Sequence, residues 1–234
     1  MATIAEPNVV IDGLVFNLDA ANSRSYSGSG LTVNGLVGGI GGTLVGGVGF
    51  TNRNSGSFVF DGSNDYINLG NPTVLQGLQL NMTISCWFNR QAFTSSATLY
   101  SDYADVGGVR LTSLLRIDSN FLAYYTSAPN NGFQNVYPAT ITSGVWYFVS
   151  VAVSGTLSSP IANIFLNGTT YTFNLGALNS TPFTGAIHCI GGNINIGTNE
   201  YFNGNIPQLQ IYNRALSQQE VLQNYNATKS RYGY

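Results

Sequence analysis

From residue 57 onward the chain never runs far between turn signals. Segments rich in β-branched and aromatic residues fall at 57–60, 66–69, 82–88, 98–103, 109–117, 121–125, 145–153, 162–166, 170–175, 186–190 and 206–212. Between them stand Asp61-Gly62, Asn131-Gly132, Ser143-Gly144, Asn167-Gly168 and Asn203-Gly204. Each apolar run is too short for an independent helix, and Asn-Gly tolerates the positive φ of a tight hairpin. The clearest hairpin is Asn167-Gly168, between Ile164-Phe165-Leu166 and Thr170-Tyr171-Thr172-Phe173. Many short strands at close spacing predict an all-β sandwich or barrel.

The N-terminal part fits the same plan. Residues 13–19 read as a short apolar strand ending at a turn. Residues 28–49 are dense in glycine, with pairs at Gly38-Gly39, Gly41-Gly42 and Gly46-Gly47. A phosphate-cradling loop would need a following Gly-Lys-Ser/Thr and a helix, and neither is there. Tight turns around short strands such as Thr43-Leu44-Val45 explain the stretch.

One segment breaks the pattern. Ser217 followed by Glu220 forms a capping box, in which each side chain satisfies a free backbone N–H of the other residue. Leu216 and Val221 occupy the two staple positions around it, and Val221, Leu222 and Tyr225 make an apolar face that can lie on a sheet edge. A helix is expected over 217–228, with 1–12 as an N-terminal arm and 229–234 as a tail of one domain spanning 1–234.

Charge excludes several partners. Only 8% of residues are charged, against about 25% in an average domain. Lys229 is the sole lysine, and the arginines are scattered from Arg24 to Arg231. Nucleic acid needs clustered cations to neutralise phosphates, so it is not an expected partner. There is no apolar stretch long enough for a membrane helix, and the opening Met1-Ala-Thr-Ile-Ala-Glu lacks the features of a secretory signal. Cys86 and Cys189 sit in apolar runs and are expected as buried free thiols; a disulfide would require their strands to be adjacent.

Several stretches resemble one family. They are Asp12-Gly-Leu-Val-Phe-Asn-Leu-Asp-Ala20 with Ser25-Tyr-Ser-Gly-Ser-Gly30, then Ser57-Phe-Val-Phe-Asp-Gly-Ser-Asn-Asp-Tyr-Ile67 and Met82-Thr-Ile-Ser-Cys-Trp-Phe88. Phe202-Asn-Gly-Asn-Ile-Pro-Gln-Leu-Gln-Ile-Tyr-Asn-Arg-Ala-Leu-Ser217 and the segment 220–225 complete the set. In this order they are similar to concanavalin A-like, laminin-G-like lectin/glucanase domains of the bacteriophage virion-protein type. The resemblance implies a jelly-roll sandwich of two antiparallel sheets with a short C-terminal helix. One stretch departs from it: the family's Asp- and Asn-rich run is replaced by Asn34-Gly-Leu-Val-Gly-Gly-Ile-Gly-Gly42.

The fold hosts both enzymes and binding modules, so chemistry must come from side chains. Glycoside hydrolysis needs two carboxyl groups flanking the scissile bond. Of the three glutamates, Glu6 is near the terminus, Glu220 caps the helix and Glu200 stands alone. Asp102 and Asp105 lie on opposite faces of a strand and read best as a solvated loop. His188 is the only histidine, and strand alternation turns it away from its neighbour Cys189. No catalytic residue is therefore expected. No cofactor is expected either, with calcium at Asp61, Asn64 and Asp65 as the one candidate, since the resemblance brings calcium with it and these residues offer hard oxygens. The same residues make a self-bonded turn. Tyr103, Tyr124, Tyr125, Phe133 and Tyr137, around a loop at 126–134, are candidate sugar-stacking rings. Four glycosylation sequons, at Asn81, Asn167, Asn179 and Asn226, are expected to be unmodified.

The resemblance thus implies a virion structural protein, either a capsid decoration or cement subunit or a tail or fibre component. It would be made in the host cytoplasm and would contact other virion proteins and copies of itself, with a trimer as the analogy. The alternative is a lectin-type module that recognises host-surface glycan.

Overall fold

A computed structural model describes residues 8–92, 96–106, 109–129, 132–180, 185–194 and 200–234, without the side chains of 104–106, 109–112 and 132–133. The strands are β1 (Leu14–Asp19), β2 (Thr32–Asn34), β3 (Gly41–Val45), β4 (Gly49–Thr51), β5 (Ser57–Asp61), β6 (Tyr66–Gly70), β7 (Met82–Arg90) and β8 (Ser96–Val106). They continue as β9 (Val109–Asp118), β10 (Phe121–Ala128), β11 (Gly132–Val136), β12 (Trp146–Thr156), β13 (Ser159–Leu166), β14 (Thr169–Asn174), β15 (Ile187–Ile190) and β16 (Asn203–Tyr212). Helix α1 (Gln218–Asn226) follows.

The strands sort into two antiparallel sheets. The first runs β14-β13-β12-β7-β16-β5-β4, with β1 also paired to β16, and the second runs β11-β10-β9-β8-β15-β6-β3-β2. Strand alternation explains how they close. Ile84, Cys86 and Phe88 of β7, and Val149, Val151 and Val153 of β12, face inward from the first sheet. They meet Leu115, Ile117, Leu122, Tyr124 and Ile190 of the second in one apolar core. This is the expected jelly-roll sandwich. Cys86 and Cys189 are buried free thiols, one on each sheet.

Local signals account for the joints. Asn167 and Gly168 take φ values of 43° and 102° and link β13 to β14, where Leu166 pairs with Thr169. The segment 126–134, expected as a loop, is instead largely strand: β10 extends to Ala128 and pairs with β11. Asn203-Gly204 is not a turn either. It opens β16, and Gly204 at φ 147° comes so close to β7 that a Cβ would fall on the Asn89 carbonyl oxygen. Glycine here permits close backbone approach beside a β-bulge rather than a reversal of direction.

Helix α1 begins with the expected capping box, Ser217 Oγ accepting from the Glu220 amide and Glu220 Oε2 accepting from the Ser217 amide. It lies across the outer face of the first sheet rather than at an edge. Val221 and Tyr225 are buried there with Trp87, Phe148 and Phe165, whereas Leu222 is exposed. Residues 229–234, expected as a tail, fold back on the same face: Tyr232 stacks on Trp87 with ring centroids 4.2 Å apart. Among the described residues no helix is long and apolar enough to cross a membrane.

Candidate functional site

Leu115 and Ile117 of β9 point into the core, so Arg116 and Asp118 emerge on the outer face of the second sheet. Leu122 and Tyr124 of β10 do the same for Phe121, Ala123 and Tyr125. The register sets Arg116 between Thr98 of β8 and Ala123 of β10. From this position the Arg116 guanidinium reaches Glu200 at 2.5 Å and Asp118 at 2.6 Å, and its Cζ lies 4.2 Å from the centroid of the Tyr125 ring. Burial by itself lowers the Arg116 pKa, but the facing Glu200 and Asp118 charges raise it on balance.

Both carboxylates are further fixed. Glu200 Oε2 accepts from Thr98 Oγ1 at 3.3 Å and from Asn193 Nδ2 at 3.2 Å. Asp118 accepts from the hydroxyls of Tyr125 at 2.5 Å, Tyr137 at 3.2 Å and Ser96 at 3.1 Å. Desolvation, then the bond to Asp118, pushes the Tyr125 phenol well up. Asn135 Nδ2 donates to the Tyr137 hydroxyl at 3.1 Å. The Tyr125 and Tyr137 rings stand edge to face at 6.2 Å, and Phe121 packs on Tyr137 at 6.4 Å. Phe121 and Tyr137 are each 45% exposed. The result is a fixed charged floor with an exposed aromatic rim, beside which Asn135 is also exposed.

This arrangement selects among the sequence candidates. Tyr125 and Tyr137 come together as expected. Tyr124 does not join them: it is 1% exposed and faces the core, because adjacent residues of one strand take opposite faces. Tyr103 is half-buried on β8, opposite Ile187 of β15. The Phe133 side chain lies outside the described residues. Glu200, expected alone, is instead the partner of Arg116. Asp102 is not in a solvated loop but buried within β8, accepting from the Ser113 amide, and burial raises its pKa to about 7. The side chain of Asp105 is not described.

His188, Cys189 and the Asp61–Asp65 turn are engaged in holding the fold. His188 is buried, its Nδ1 bonding the Tyr100 hydroxyl at 2.7 Å and its Nε2 meeting the Gln76 amide at 3.2 Å. An amide N–H donating to Nε2 fixes a neutral ring with the proton on Nδ1, and burial lowers the His188 pKa to about 4. Burial also raises the neighbouring Cys189 thiol to about 12, the opposite of an activated nucleophile. In the Asp61–Asp65 turn, Asp61 Oδ1 accepts from the Ser63 amide at 2.7 Å and Asp65 Oδ2 from the Asp61 amide at 2.9 Å. Asp61 and Asn64 are exposed while Asp65 is buried. Among the described residues no group of three acidic, His or Cys side chains converges on a metal position. The two hydrogen bonds close the turn.

The family model described as the concanavalin A-like lectin/glucanases superfamily matches residues 61–222. The chain belongs to this superfamily. Its sandwich and closing helix are thus the superfamily's frame, and the Arg116 cluster is built on the outer face of that frame. No curated protein sequence matches the chain. Solved structures do. Domain 4 of the arabinanase AbnA from Geobacillus stearothermophilus, in complex with arabinotriose, aligns over 89% of this chain and 96% of its own, at 16% identity and TM-score 0.62. The receptor-binding domain of botulinum neurotoxin type G aligns over 92% of this chain and 51% of its own, at 17% identity and TM-score 0.63. Trypanosoma rangeli sialidase in complex with sialic acid aligns over 100% of this chain and 37% of its own, at 12% identity and TM-score 0.72. At these identities the likeness is one of fold.

Proposed function

We propose that the chain is a non-catalytic glycan-binding module. The observation that carries this reading is the Arg116–Asp118–Tyr125–Tyr137 cluster. A sugar presents hydroxyls on its rim and C–H bonds on its faces, and a site for it pairs fixed polar groups with an aromatic platform. The exposed Phe121 and Tyr137 rings are the platform, and Asn135, Asp118 and the phenols are the polar groups. Arg116 holds Asp118 in place before any ligand arrives, which lowers the entropic cost of binding. The floor holds two carboxylates and one guanidinium, so the favoured ligand is an uncharged, hydroxyl-rich saccharide. The absence of catalysis is part of the proposal. Both acids are tied to one guanidinium, an arrangement that leaves neither as a proton donor across an open gap. The fold likeness to a domain whose structure is a complex with arabinotriose supports the same reading.

The test is a glycan array probed with the wild-type chain and with Tyr137→Ala, each with calcium and with chelator. Binding to neutral glycans that drops about tenfold in the variant is expected, the size of one lost aromatic contact with its hydrogen bond. Absence of binding in both calcium conditions would remove the proposal.

The setting we propose is a virus particle, with the module as a capsid decoration or a tail or fibre component in contact with copies of itself. The resemblance to phage sequences supports it, as does a surface poor in charge, where close packing meets little electrostatic repulsion. Mass spectrometry of purified particles decides the matter, and absence of the chain from them would rule the setting out.

A further inference from the structure

A groove of about 490 Å³ runs over the outer face of the first sheet, on the opposite side of the sandwich from the Arg116 cluster. That volume is within the roughly 300–1,000 Å³ usual for small-ligand sites. Phe58 and Phe60 of β5, Phe88 of β7 and Ile206 of β16 fill the core. Their neighbours Ser57, Val59, Asn89 and Asn205 consequently face outward and floor the groove. Gln91 and Trp146 wall it on one side, and Arg53 and Asn54 on the other.

The chemistry of this lining is uniform. It is made of amides, hydroxyls, one indole and the Val59 side chain, and among the described residues Arg53 is its single charged side chain. Arg53 is exposed and has no carboxylate partner among the described residues. The polar floor is held in place: Asn89 Nδ2 donates to the Gly144 carbonyl at 2.8 Å, and its Oδ1 accepts from Gln91. Trp146 is half-buried and braced against Tyr232, with ring centroids 4.8 Å apart.

The loop that brings Arg53 to the groove is strained. Asn54 and Ser55 are consecutive non-glycine residues in the left-handed region, at φ 54° and 67°. Such residues persist only where their surroundings hold them, and they cluster at ligand sites. Here Asn54 Nδ2 donates to the Arg231 carbonyl at 2.7 Å, and the Arg231 guanidinium is paired with Asp19 at 3.0 Å. Arg53 is thereby placed on the rim by a chain of contacts running back to β1.

We propose that this groove binds a saccharide bearing a carboxylate. Trp146 stacks on an apolar sugar face, the Asn89, Gln91 and Asn205 amides take up hydroxyls, and Arg53 pairs with the carboxylate. A guanidinium matches carboxylate geometry with two parallel N–H donors, and among the described residues no acid lines the groove to oppose an anionic ligand. The site is independent of the Arg116 cluster in position and opposite to it in charge.

The experiment is calorimetric titration of the full chain with trigalacturonate, 3′-sialyllactose and, as the neutral control, maltotriose. At least one of the two acidic saccharides is expected to bind at low salt, and the arms show whether the carboxylate belongs to a uronic or a sialic acid. Arg53→Gln should weaken that binding at least about tenfold, the value of one charge-assisted hydrogen bond. Raised salt should weaken the wild type in the same direction, because the pair is exposed. Tyr137→Ala, on the opposite face, should leave it unchanged, and circular dichroism should show both variants folded. The proposal is overturned if neither acidic saccharide binds, if Arg53→Gln binds as tightly as wild type, or if Tyr137→Ala removes the binding.

Discussion

The Trp87 indole N–H donates to the Thr228 hydroxyl at 2.8 Å, tying the central strand β7 to the segment that follows helix α1. Tyr225 and Tyr232 stack on the same indole, and Trp87 is fully buried between sheet and helix. The C-terminal segment thus covers an aromatic surface that the first sheet cannot bury alone. Trp87→Ala should cost about 3–5 kcal/mol, as expected for a buried tryptophan. Thr228→Val keeps the shape and removes the hydroxyl that accepts from Trp87 and donates to the Asn224 carbonyl, leaving a buried N–H unpaired at a cost of about 1–3 kcal/mol. Urea denaturation measures both, and an unchanged midpoint for Thr228→Val would show that the hydrogen bond contributes nothing.

Arg116 is 15% exposed, with Glu200 at 9% and Asp118 at 17%. Arg116→Met should destabilise the fold by about 3 kcal/mol, because two carboxylates remain near each other without a counter-charge. The double variant Arg116→Met with Glu200→Met should recover much of that loss. A double variant no more stable than Arg116→Met would mean that the cost is the lost contact of the guanidinium with the Tyr125 ring and not unpaired charge.

The sequence shows the features that depend on neighbours in the chain. Asn167-Gly168 carries its own hairpin, and Ser217 with Glu220 carries its own helix start, because each satisfies local backbone groups. The jelly roll itself follows from alternation and from the order of its strand motifs. What the sequence hides depends on which face of a strand meets the core. Tyr124 and Tyr125 are indistinguishable until the parity of β10 is known, and then one is core and the other rim. The Arg116–Glu200 pair joins residues 84 apart, and no local pattern announces it. The Arg53 groove is hidden for the same reason: its residues come from β4, β5, β7, β12 and β16 and from the segments that follow β4 and β7, and its strand residues share only an outward parity. A lone Arg amid Asn and Gln is the one trace it leaves in the sequence.

Two buried groups make stability depend on pH in opposite senses. Burial raises the Asp102 pKa from 3.8 to about 7, so its contribution is full below about pH 4 and is lost as pH rises through 7. Burial lowers the His188 pKa from 6.5 to about 4, so its contribution is full above pH 6.5 and is lost as pH falls through 4. Between these limits the two slopes, each at most about 1.4 kcal/mol per pH unit, oppose each other. Asp102→Asn removes one of them. Its stability should fall steadily from pH 6.5 to 4, while the wild type changes less over that range. Superimposable profiles in a urea midpoint series would show that Asp102 does not titrate there.

Gly204 offers a test of close approach inside a sheet. Its φ of 147° and the Asn89 carbonyl facing it both oppose a side chain, whereas Gly168, at φ 102°, has open space around its Cβ position. Gly168→Ala should therefore cost only the backbone penalty, about 1–2 kcal/mol. Gly204→Ala should cost about 3 kcal/mol, because the added methyl must also push β16 away from β7. That displacement would disturb the join of β16 to β5 and β7, whose outward residues Val59, Asn89 and Asn205 floor the Arg53 groove. Gly204→Ala should thus weaken binding in the groove as well as stability, while Gly168→Ala leaves binding intact. Equal losses of stability in the two variants, measured by thermal unfolding, would show that the β16–β7 contact yields to a methyl group and that the bulge is not sterically fixed.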